Sequence, residues 1–359
     1  MVMYKNKLKY LPNVISSNKH VVHNSRITLV LHISNDYINA DLQKTFSNWK
    51  GPISLAVYFP TNIHTVESIC AFCQIKNMNF DSRYVSVHFI YPATKSNTFI
   101  NGTFLNFSNS SCDSKIFLRN NCLGKKLTLE EKISKSVPYP INTVRNIARK
   151  LSKTKYIIIS DVGLYFSSDF EVRTLRLARQ TLRNASRKTL AIRIFEIKDK
   201  INKMPKNKAE LLKLFRKRYA FEFHPYNKHG QHVERLDEWF AKPDKRKLTI
   251  QFIKKYDNKQ WEPPLIMKRD NPSWHEETFL YPNRDNASLR WKMCRLNFQF
   301  MIVNSVFIYH QGLKKESEKI NLRKIREEMK PQYVKILGSF NRKIDQLYPK
   351  TKTKCPKFF

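Results

Sequence analysis

The sequence predicts an α/β fold with a mainly parallel central sheet and helices on both of its faces. In the first half of the chain, apolar β-branched runs alternate with segments of helical periodicity. This order implies parallel strands joined by right-handed crossovers. The 359 residues have a hydrophobic content of 41% and include 24 Phe and 16 Tyr, which is typical of a folded globule with a large core.

Each predicted strand is an apolar run that ends at polar or turn-forming residues. The runs span residues 26–33, 53–59, 83–91, 156–159 and 190–197. Between them, the periodicity predicts helices at residues 40–49, 62–74, 139–151 and 172–182. A polar stretch at about 93–127 interrupts this pattern and predicts a long loop.

The second half of the chain is less regular. Its predicted elements are two short strands within 249–268, a helix at 286–296 and a strand at 298–309. Residues 198–218 are rich in lysine and arginine but also carry leucine and phenylalanine at helical spacing. We interpret them as an amphipathic helix with a solvated basic face, and a dedicated nucleic-acid-binding helix is the alternative.

The chain is strongly basic. A formal net charge of +37 attracts polyanions, namely nucleic acids, anionic membranes, acidic glycans and nucleotide phosphates. The positive residues are spread over almost the whole sequence, and it contains no nucleic-acid-binding signature. The sequence also lacks GxGxxG and GxxxxGK[ST] motifs and has only 7 Gly, which argues against dinucleotide-binding and P-loop folds.

The six cysteines leave the redox compartment open. Cys70 and Cys73 form a CxxC motif without the second pair of a zinc site, and both thiols fit the core side of a predicted helix. Cys112 and Cys122 are spaced for a local disulfide in a lumenal protein. No apolar run is long enough to cross a bilayer and no signal-like segment is present, so we expect a soluble chain.

Asp161 is the leading candidate functional residue. It follows the buried strand 156–159, and a carboxylate at the carboxyl end of such a strand lies where open α/β sheets bind their ligands. There it can hold a divalent metal and the phosphates bound to that metal. A turn-forming Asp after a strand is the alternative interpretation.

Two other clusters carry candidate chemistry. His224, His229 and His232 are close in sequence, but their spacing matches no standard metal site, so structural or surface roles are the simpler interpretation. The segment Trp274–Glu277 (WHEE) brings two carboxylates and a histidine together.

Several blocks of the sequence resemble glycosyltransferase family 49, the family of LARGE-type and β-1,4-glucuronyltransferase 1-like enzymes. They occur in order between about residues 26 and 315, and several blocks in series are more specific than any one of them. The blocks are Trp49–Val57 (WKGPISLAV), Tyr139–Arg149 (YPINTVRNIAR), Thr154–Asp161 (TKYIIISD), Lys208–Trp239, Trp261–Glu276 and Val306–Gly312 (VFIYHQG).

The resemblance implies a GT-A fold, a UDP-sugar donor, Mn²⁺ and inversion at the anomeric carbon. The transferred sugar is expected to be glucuronic acid or N-acetylglucosamine, and the acceptor a glycan or glycoprotein. The implied setting is the Golgi lumen as a type II membrane protein, held only through a tether that this chain lacks. No nucleic-acid partner is expected.

The same resemblance assigns roles to individual residues. Asp161 and His310 are expected to bind the metal, Arg145, Asn146 and Asp161 to contact the donor, and Glu276 to act as the catalytic base. It also divides the chain into regions. These are an extended lead-in at 1–25, a GT-A domain at 26–315 with a nucleotide-sugar half at 26–200 and an acceptor half at 201–315, and a basic helical tail at 316–359.

The sequence departs from the family pattern at two positions. Gly163 stands where the family has the second carboxylate of its DxD motif, and His275 stands where it has an aspartate. Losing an anionic ligand should weaken Mn²⁺ binding, although water or Asp169 could fill the position. A working transferase and a catalytically degenerate paralogue that binds glycan or a partner protein are therefore both considered, with nucleic-acid binding as a third hypothesis.

Overall fold

The computed structural model describes ten stretches of the chain: residues 1–5, 7–18, 24–60, 66–93, 112, 122, 139–185, 187–225, 228–313 and 316–358. The predicted loop at about 93–127 lies almost entirely outside these residues, as does the start of the predicted helix at 62–74.

The described strands include all eight that the sequence predicted and four others. They are β1 (Val2–Tyr4), β2 (Leu8–Ile15), β3 (Ile27–Ser34), β4 (Ile53–Tyr58), β5 (Val85–Pro92), β6 (Tyr156–Ile159), β7 (Leu164–Phe166), β8 (Lys188–Ile197), β9 (Ala220–Glu222), β10 (Ile250–Lys254), β11 (Leu265–Lys268) and β12 (Gln299–Gln311).

The helices that the structure describes include those predicted from the sequence and two short ones, the sixth and seventh, that were not predicted. They are α1 (Ala40–Asn48), α2 (Val66–Lys76), α3 (Ile141–Leu151), α4 (Phe170–Leu182), α5 (Lys208–Arg216), α6 (Lys228–Gln231), α7 (Leu236–Ala241), α8 (Ala287–Arg295), α9 (Glu316–Glu328) and α10 (Lys330–Leu347). None of the described helices combines the length and apolar character that crossing a bilayer requires.

The described strands form one mixed sheet in the order β1-β2-β5-β4-β3-β6-β11-β8-β12-β10, with β7 paired to β12 and β9 to β8. Strands β5, β4, β3 and β6 run parallel to one another, and β8 runs parallel to β12. The predicted parallel core is confirmed. Antiparallel strands extend this core, since β2 pairs antiparallel with β5 and β11 inserts antiparallel between β6 and β8.

Both faces of the parallel core are covered by helices, as predicted. Along β3, Leu29 and Leu31 pack into one apolar cluster while Val30 packs into another, since successive side chains point to opposite faces. Helices α1, α2 and α4 contribute to the first cluster, and α3 and α8 to the second. Burial on both faces explains the continuous apolar runs of these strands.

The lead-in predicted at 1–25 contains a β-hairpin. Strands β1 and β2 pair antiparallel, and β2 continues the sheet beyond β5. Leu8, Tyr10 and Val14 are buried. Pro12 and Asn13 obscure the strand pattern in the sequence. They lie where the pairing to β5 shifts register, a place where a strand tolerates proline.

The tail at 316–359 is helical, as predicted, but it is packed against the rest of the protein. A disulfide joins Cys355 to Cys294 of α8. Phe358 is 2% exposed and its ring lies against those of Phe279, Trp291 and Phe340. The division of the chain at residue 315 stays a prediction.

The disulfide expected between Cys112 and Cys122 is wrong. Cys70 pairs with Cys122, and Cys73 pairs with Cys112. The two thiols of the CxxC motif lie on one turn of α2, so each reaches a different cysteine of the segment that follows β5. Both residues lie in the core, as predicted, but they are disulfide-bonded rather than thiols.

Truncation of Phe358 tests how much the docked tail stabilises the fold. Phe358→Ala is expected to lower the free energy of unfolding by about 3 kcal/mol, because it removes a fully buried ring and leaves a cavity. The neighbouring Lys357 is exposed, so Lys357→Ala should change the free energy of unfolding by less than about 0.5 kcal/mol. Chemical denaturation of both variants measures the difference, and equal stabilities would show that the tail is not packed.

Candidate functional site

The site is built around Asp161 at the carboxyl end of β6. Because β6 and β3 are parallel neighbours, Asp161 meets His32 near the end of β3, and its Oδ1 lies 2.9 Å from His32 Nε2. Arg145 Nη2 also donates to Oδ1 over 3.3 Å. Both contacts use Oδ1, so within the described part of the chain Oδ2 of this 58% exposed side chain makes no hydrogen bond.

Arg145 of α3 connects Asp161 to a second carboxylate. Its Nη1 donates to Asp285 Oδ2 over 2.6 Å and to Asn142 Oδ1 over 3.1 Å. Burial alone would lower the pKa of the guanidinium, but the charges of Asp285 and Asp161 outweigh it and raise that pKa. A buried, permanently charged arginine therefore fixes the orientation of Asp161 through the hydrogen bond to its Oδ1.

His32 is held neutral between these groups. Burial, followed by the charge of Arg145, lowers the pKa of its imidazole despite the hydrogen bond to Asp161. Its Nδ1 lies 2.9 Å from the hydroxyl of Tyr139, and burial raises the pKa of that phenol. When Tyr139 donates to Nδ1, the neutral ring carries its proton on Nε2 and donates it to Asp161. Arg145 Nε–H lies 3.1 Å from the same Nε2 and competes for it, because this nitrogen can accept from Arg145 only in the other tautomer.

The electrostatic surroundings keep Asp161 ionised. Desolvation alone would raise the pKa of this carboxyl, but the hydrogen bond with His32 and the charge of Arg145 outweigh it and hold the pKa well below its usual range. The result is a carboxylate with one oxygen engaged by the protein and one oxygen open to solvent, which is suited to binding a hard cation.

His310 lies beside the same turn. Leu164 pairs with His310 through the antiparallel β7–β12 ladder, and a Cβ placed on Gly163 would lie 4.0 Å from His310 Cδ2. Gly163 is two residues after Asp161, a span of at most about 7 Å along the chain. The structure thus brings Asp161 and His310 to one place, although they are separated by about 150 positions in the sequence.

The hydrogen bonding of His310 leaves one ring nitrogen for a ligand. Its Nδ1 lies 2.9 Å from the carbonyl oxygen of Gly312, which can only accept, so Nδ1 carries the proton and Nε2 keeps its lone pair. Metal-binding histidines are oriented in this way. The backbone of Gly312 has a φ of +102°, which favours glycine, and a Cβ there would lie 2.8 Å from Asp199 Oδ1.

The donor set for a divalent cation is incomplete. Asp161 Oδ2 and His310 Nε2 fit such an ion, but the described residues contain no group of three or more His, Cys, Asp and Glu side chains that could hold a metal. Gly163 offers no ligand atom and has a φ of +88°. Asp169 is not placed to replace it, because it begins α4 after β7 has run back along β12, away from His310.

The predicted base, Glu276, lies in a loop that α3 and α10 hold in place. Its side chain is 16% exposed, and Lys343 Nζ of α10 lies 3.6 Å from its Oε2. Its backbone carbonyl accepts from Asn142 Nδ2 over 2.8 Å. The structure therefore pairs this carboxylate with a lysine of the tail.

Asn146 contacts the same loop rather than Asp161. Its Nδ2 donates to the carbonyl oxygen of His275 over 3.0 Å and to Glu277 Oε1 over 2.8 Å. Glu277 also accepts from Tyr4 and forms an ion pair with Lys5. The contacts of Asn146 fit a residue that positions this loop, while its predicted contact with the donor stays a prediction.

The two described histidine side chains after β8 bind separate partners. His232 Nδ1 lies 2.9 Å from Glu222 Oε2, and His224 Nε2 lies 3.8 Å from Glu196 Oε1. The side chain of His229 falls outside the described part of the structure. Two separate His–Glu pairs support the structural interpretation of these residues.

Glu262 was not predicted from the sequence as a functional residue. Its carboxyl interacts electrostatically with Asp161, Arg145 and Asp285. Burial, followed by the negative charge of Asp285, raises the pKa of Glu262 to about 7, and the charges of Arg290, Arg145 and Asp161 also act on it. Its backbone is fixed, since its N–H donates to Gly230 O over 2.8 Å. The signal was present in the block Trp261-x-Pro263, where Glu262 occupies the variable position.

Comparison with known proteins identifies the family. The family profile described as "Glycosyl-transferase for dystroglycan" matches residues 26–349. The β-1,4-glucuronyltransferase 1 of Danio rerio is 24% identical over 333 residues, which cover 88% of this chain and 72% of that protein. The xylosyl- and glucuronyltransferase LARGE1 of Mus musculus is 22% identical over 295 residues, which cover 80% of this chain but only 31% of that protein.

Among solved structures, residues 1–349 of S. aureus TarS in complex with UDP align over 90% of this chain and 83% of that chain, with 12% identity and a TM-score of 0.38. A score this low does not demonstrate a shared fold. The profile, in contrast, spans most of the chain and agrees with the ordered sequence blocks and the observed α/β sheet. The chain therefore belongs to this family of glycosyltransferases, and its α/β architecture agrees with the GT-A fold that the family resemblance predicted.

Proposed function

We propose that the protein is an inverting, metal-dependent glycosyltransferase that moves glucuronic acid or N-acetylglucosamine from a UDP-sugar to a glycan acceptor. The observation that carries this proposal is the meeting of Asp161 and His310 at the turn of Gly163. A free carboxylate oxygen and a free imidazole nitrogen are suitable ligands for Mn²⁺. The names of the relatives, which are glucuronyl- and xylosyltransferases, support a UDP-sugar donor.

In this proposal Asp161 and His310 hold the cation, and Arg145 and His32 keep Asp161 ionised and oriented. Mn²⁺, when bound, neutralises negative charge that develops on the departing diphosphate. The acceptor hydroxyl oxygen attacks the anomeric carbon from the face opposite to UDP. The bond from that carbon to the diphosphate oxygen breaks, and its electron pair leaves with UDP.

A carboxylate must accept the proton of the attacking hydroxyl. Glu276 was the sequence-based candidate, but its carboxylate is engaged by Lys343. Glu262 forms no ion pair with any residue that the structure describes, and its pKa of about 7 is matched to proton transfer near neutral pH. We therefore favour Glu262 as the base and assign Glu276 a supporting position.

The proposed setting is the lumen of the Golgi. Three disulfides link all six cysteines of the chain, which supports an oxidising compartment. The type II membrane anchor that the family resemblance implies is also part of the proposal.

The proposal is tested by incubating the purified protein with Mn²⁺ and a panel of UDP-sugars and measuring UDP release with and without glycan acceptors. We expect release with at least one donor, inversion in the product, and loss of activity in Asp161→Ala. Absence of release with every donor, or full activity in Asp161→Ala, contradicts the proposal.

Gly163 supports a second candidate function, a degenerate paralogue that binds glycan or a partner protein without catalysis. Two substitutions at this position distinguish the effect of adding a metal ligand from the effect of backbone strain. Gly163→Ala and Gly163→Asp should share a loss of about 1–2 kcal/mol in the free energy of unfolding, because both force a side chain onto a φ of +88°. Only Gly163→Asp adds a carboxylate near His310.

We expect Gly163→Asp to bind Mn²⁺ about tenfold more tightly than Gly163→Ala, as measured by titration calorimetry. Equal affinities of the two variants would show that position 163 does not face the cation. If the unmodified protein already binds UDP with Mn²⁺ and releases product, the degenerate paralogue is excluded.

A further inference from the structure

A second concave site lies away from Asp161. Its cavity of about 450 Å³ opens between the first turns of α4 and the segment that follows α7. Its lining residues are Asp169, Val172, Arg173, Arg176, Asp244, Lys245 and Arg246. A volume of this size is within the range of small-molecule binding sites, about 300–1,000 Å³.

The cavity lies near the amino end of β3, whereas the proposed catalytic site lies near the carboxyl end of that strand. Glu171, in the first turn of α4, accepts a hydrogen bond of 2.9 Å from the backbone N–H of Ile27, the first residue of β3. Asp161 instead contacts His32, five residues further along the same strand. Five residues of a strand span about 16 Å, so the two sites are separate.

Positive charge dominates the lining. Arg173 Nη2 donates to Asp244 Oδ1 over 2.6 Å and to the Lys245 carbonyl over 2.7 Å, which neutralises Asp244 and fixes the segment against α4. Within the described part of the chain, Arg176, Lys245 and Arg246 form no ion pair of their own. They therefore leave unneutralised positive charge around the cavity, opposed there by Asp169 alone.

The lining chemistry matches an acidic saccharide better than a nucleic acid. Arginine guanidinium groups bind carboxylate and sulfate groups through paired hydrogen bonds. Asp169 can accept hydrogen bonds from the hydroxyl groups of a sugar. Val172 is 55% exposed and offers apolar surface for the face of a sugar ring, while no aromatic side chain among the lining residues is available to stack a base.

We infer that this cavity is a second binding site for an anionic carbohydrate, a saccharide bearing carboxylate or sulfate groups. The inference rests on the proposed function in one respect: a glycosyltransferase has a glycan acceptor, and we take the ligand of this cavity to be part of an acidic acceptor glycan. The site would hold such a glycan at a distance from the reacting hydroxyl and thereby raise its local concentration.

The test uses the full chain in buffer containing 150 mM salt. Fluorescence anisotropy measures binding of a sulfated heparin tetrasaccharide and a hyaluronan tetrasaccharide, which distinguishes sulfate from carboxylate recognition. A single-stranded DNA oligomer and phosphatidylserine vesicles are the competing ligands. The test variant carries Arg176→Gln and Arg246→Gln, and a matched control carries Arg216→Gln and Arg323→Gln, which remove the same charge from positions elsewhere on the protein.

We expect the test variant to bind at least one tetrasaccharide about tenfold more weakly than the unmodified protein, and the control to change affinity less than about twofold. Equal losses in the two variants, no binding of either tetrasaccharide, or preferential binding of DNA or vesicles through Arg176 and Arg246 would overturn the inference. UDP binding is measured in parallel and should be unchanged in both variants. If the protein does not bind UDP but still binds the tetrasaccharide through Arg176 and Arg246, the proposed function is wrong and the inferred saccharide site is retained.

Discussion

Replacing Asp161 by asparagine is expected to slow sugar transfer about 1,000-fold. The substitution keeps the size of the side chain but removes the anionic oxygen that is open to the cation. It also leaves Arg145 with one carboxylate partner, Asp285, instead of two. Initial rates of UDP release with Mn²⁺ and the best donor measure the loss.

A matched control separates the local effect from a change in net charge. The side chain of Asp257 is 59% exposed, close to the 58% of Asp161. It forms an ion pair with Lys254 at the end of β10, away from the turn that follows β6. Asp257→Asn should therefore keep nearly full activity. If it loses as much activity as Asp161→Asn, or if Asp161→Asn stays active, the assignment of Asp161 is wrong.

The same variant has a pH-dependent effect on stability. The pKa of Asp161 is lowered in the folded protein, where the His32 hydrogen bond and the Arg145 charge outweigh desolvation. Its carboxylate thus stabilises the fold above the ordinary pKa of about 4, and this contribution is lost as pH falls through the folded value. Asp161→Asn should lower the melting temperature at neutral pH, and the difference should shrink in acid.

Replacing Glu262 by glutamine is expected to have the second largest effect. The turnover rate should fall by about two to four orders of magnitude, which is the usual contribution of a general base. Because burial raises the pKa of Glu262 to about 7, the unmodified enzyme should gain activity as pH rises through that value and the base loses its proton. Glu262→Gln cannot titrate, so this dependence should disappear. Initial rates measured from pH 5 to 9 test both statements.

Glu276→Gln is the informative comparison, because the sequence assigned the base to that residue. We expect it to retain the rise in activity near pH 7 and to lose less than about tenfold in rate through its weakened contact with Lys343. If Glu276→Gln removes the pH dependence and Glu262→Gln does not, the sequence-based assignment holds and ours fails.

The fold was predictable where one local pattern determines one element. Strands β3, β4 and β5 are continuous apolar runs because both of their faces are buried, and the intervening helices carry apolar residues at helical spacing. The short strands β7 and β9 were missed because three residues carry too little pattern. The insertion of β11 between β6 and β8 depends on pairing between distant segments, which local periodicity does not encode.

The site was predictable only in part, for a similar reason. Asp161 and His310 each end a strong strand, so their positions at the sheet edge followed from the sequence and the resemblance. The network that orients Asp161 could not be predicted, because His32 and Asp285 are more than 100 residues away in the chain. The cysteine pairing likewise depends on the position of α2, whereas sequence spacing suggested the wrong disulfide.

The central claim is that Asp161 and His310 together hold the cation that carries UDP. It is tested most directly by calorimetric titration of UDP, with and without Mn²⁺, into the unmodified protein, Asp161→Asn, His310→Ala and the double variant. We predict Mn²⁺-dependent binding that each single substitution weakens strongly, with the double variant little worse than either single one, because both residues serve one ion. Binding of UDP that does not depend on Mn²⁺, or losses that simply add in the double variant, would contradict the account.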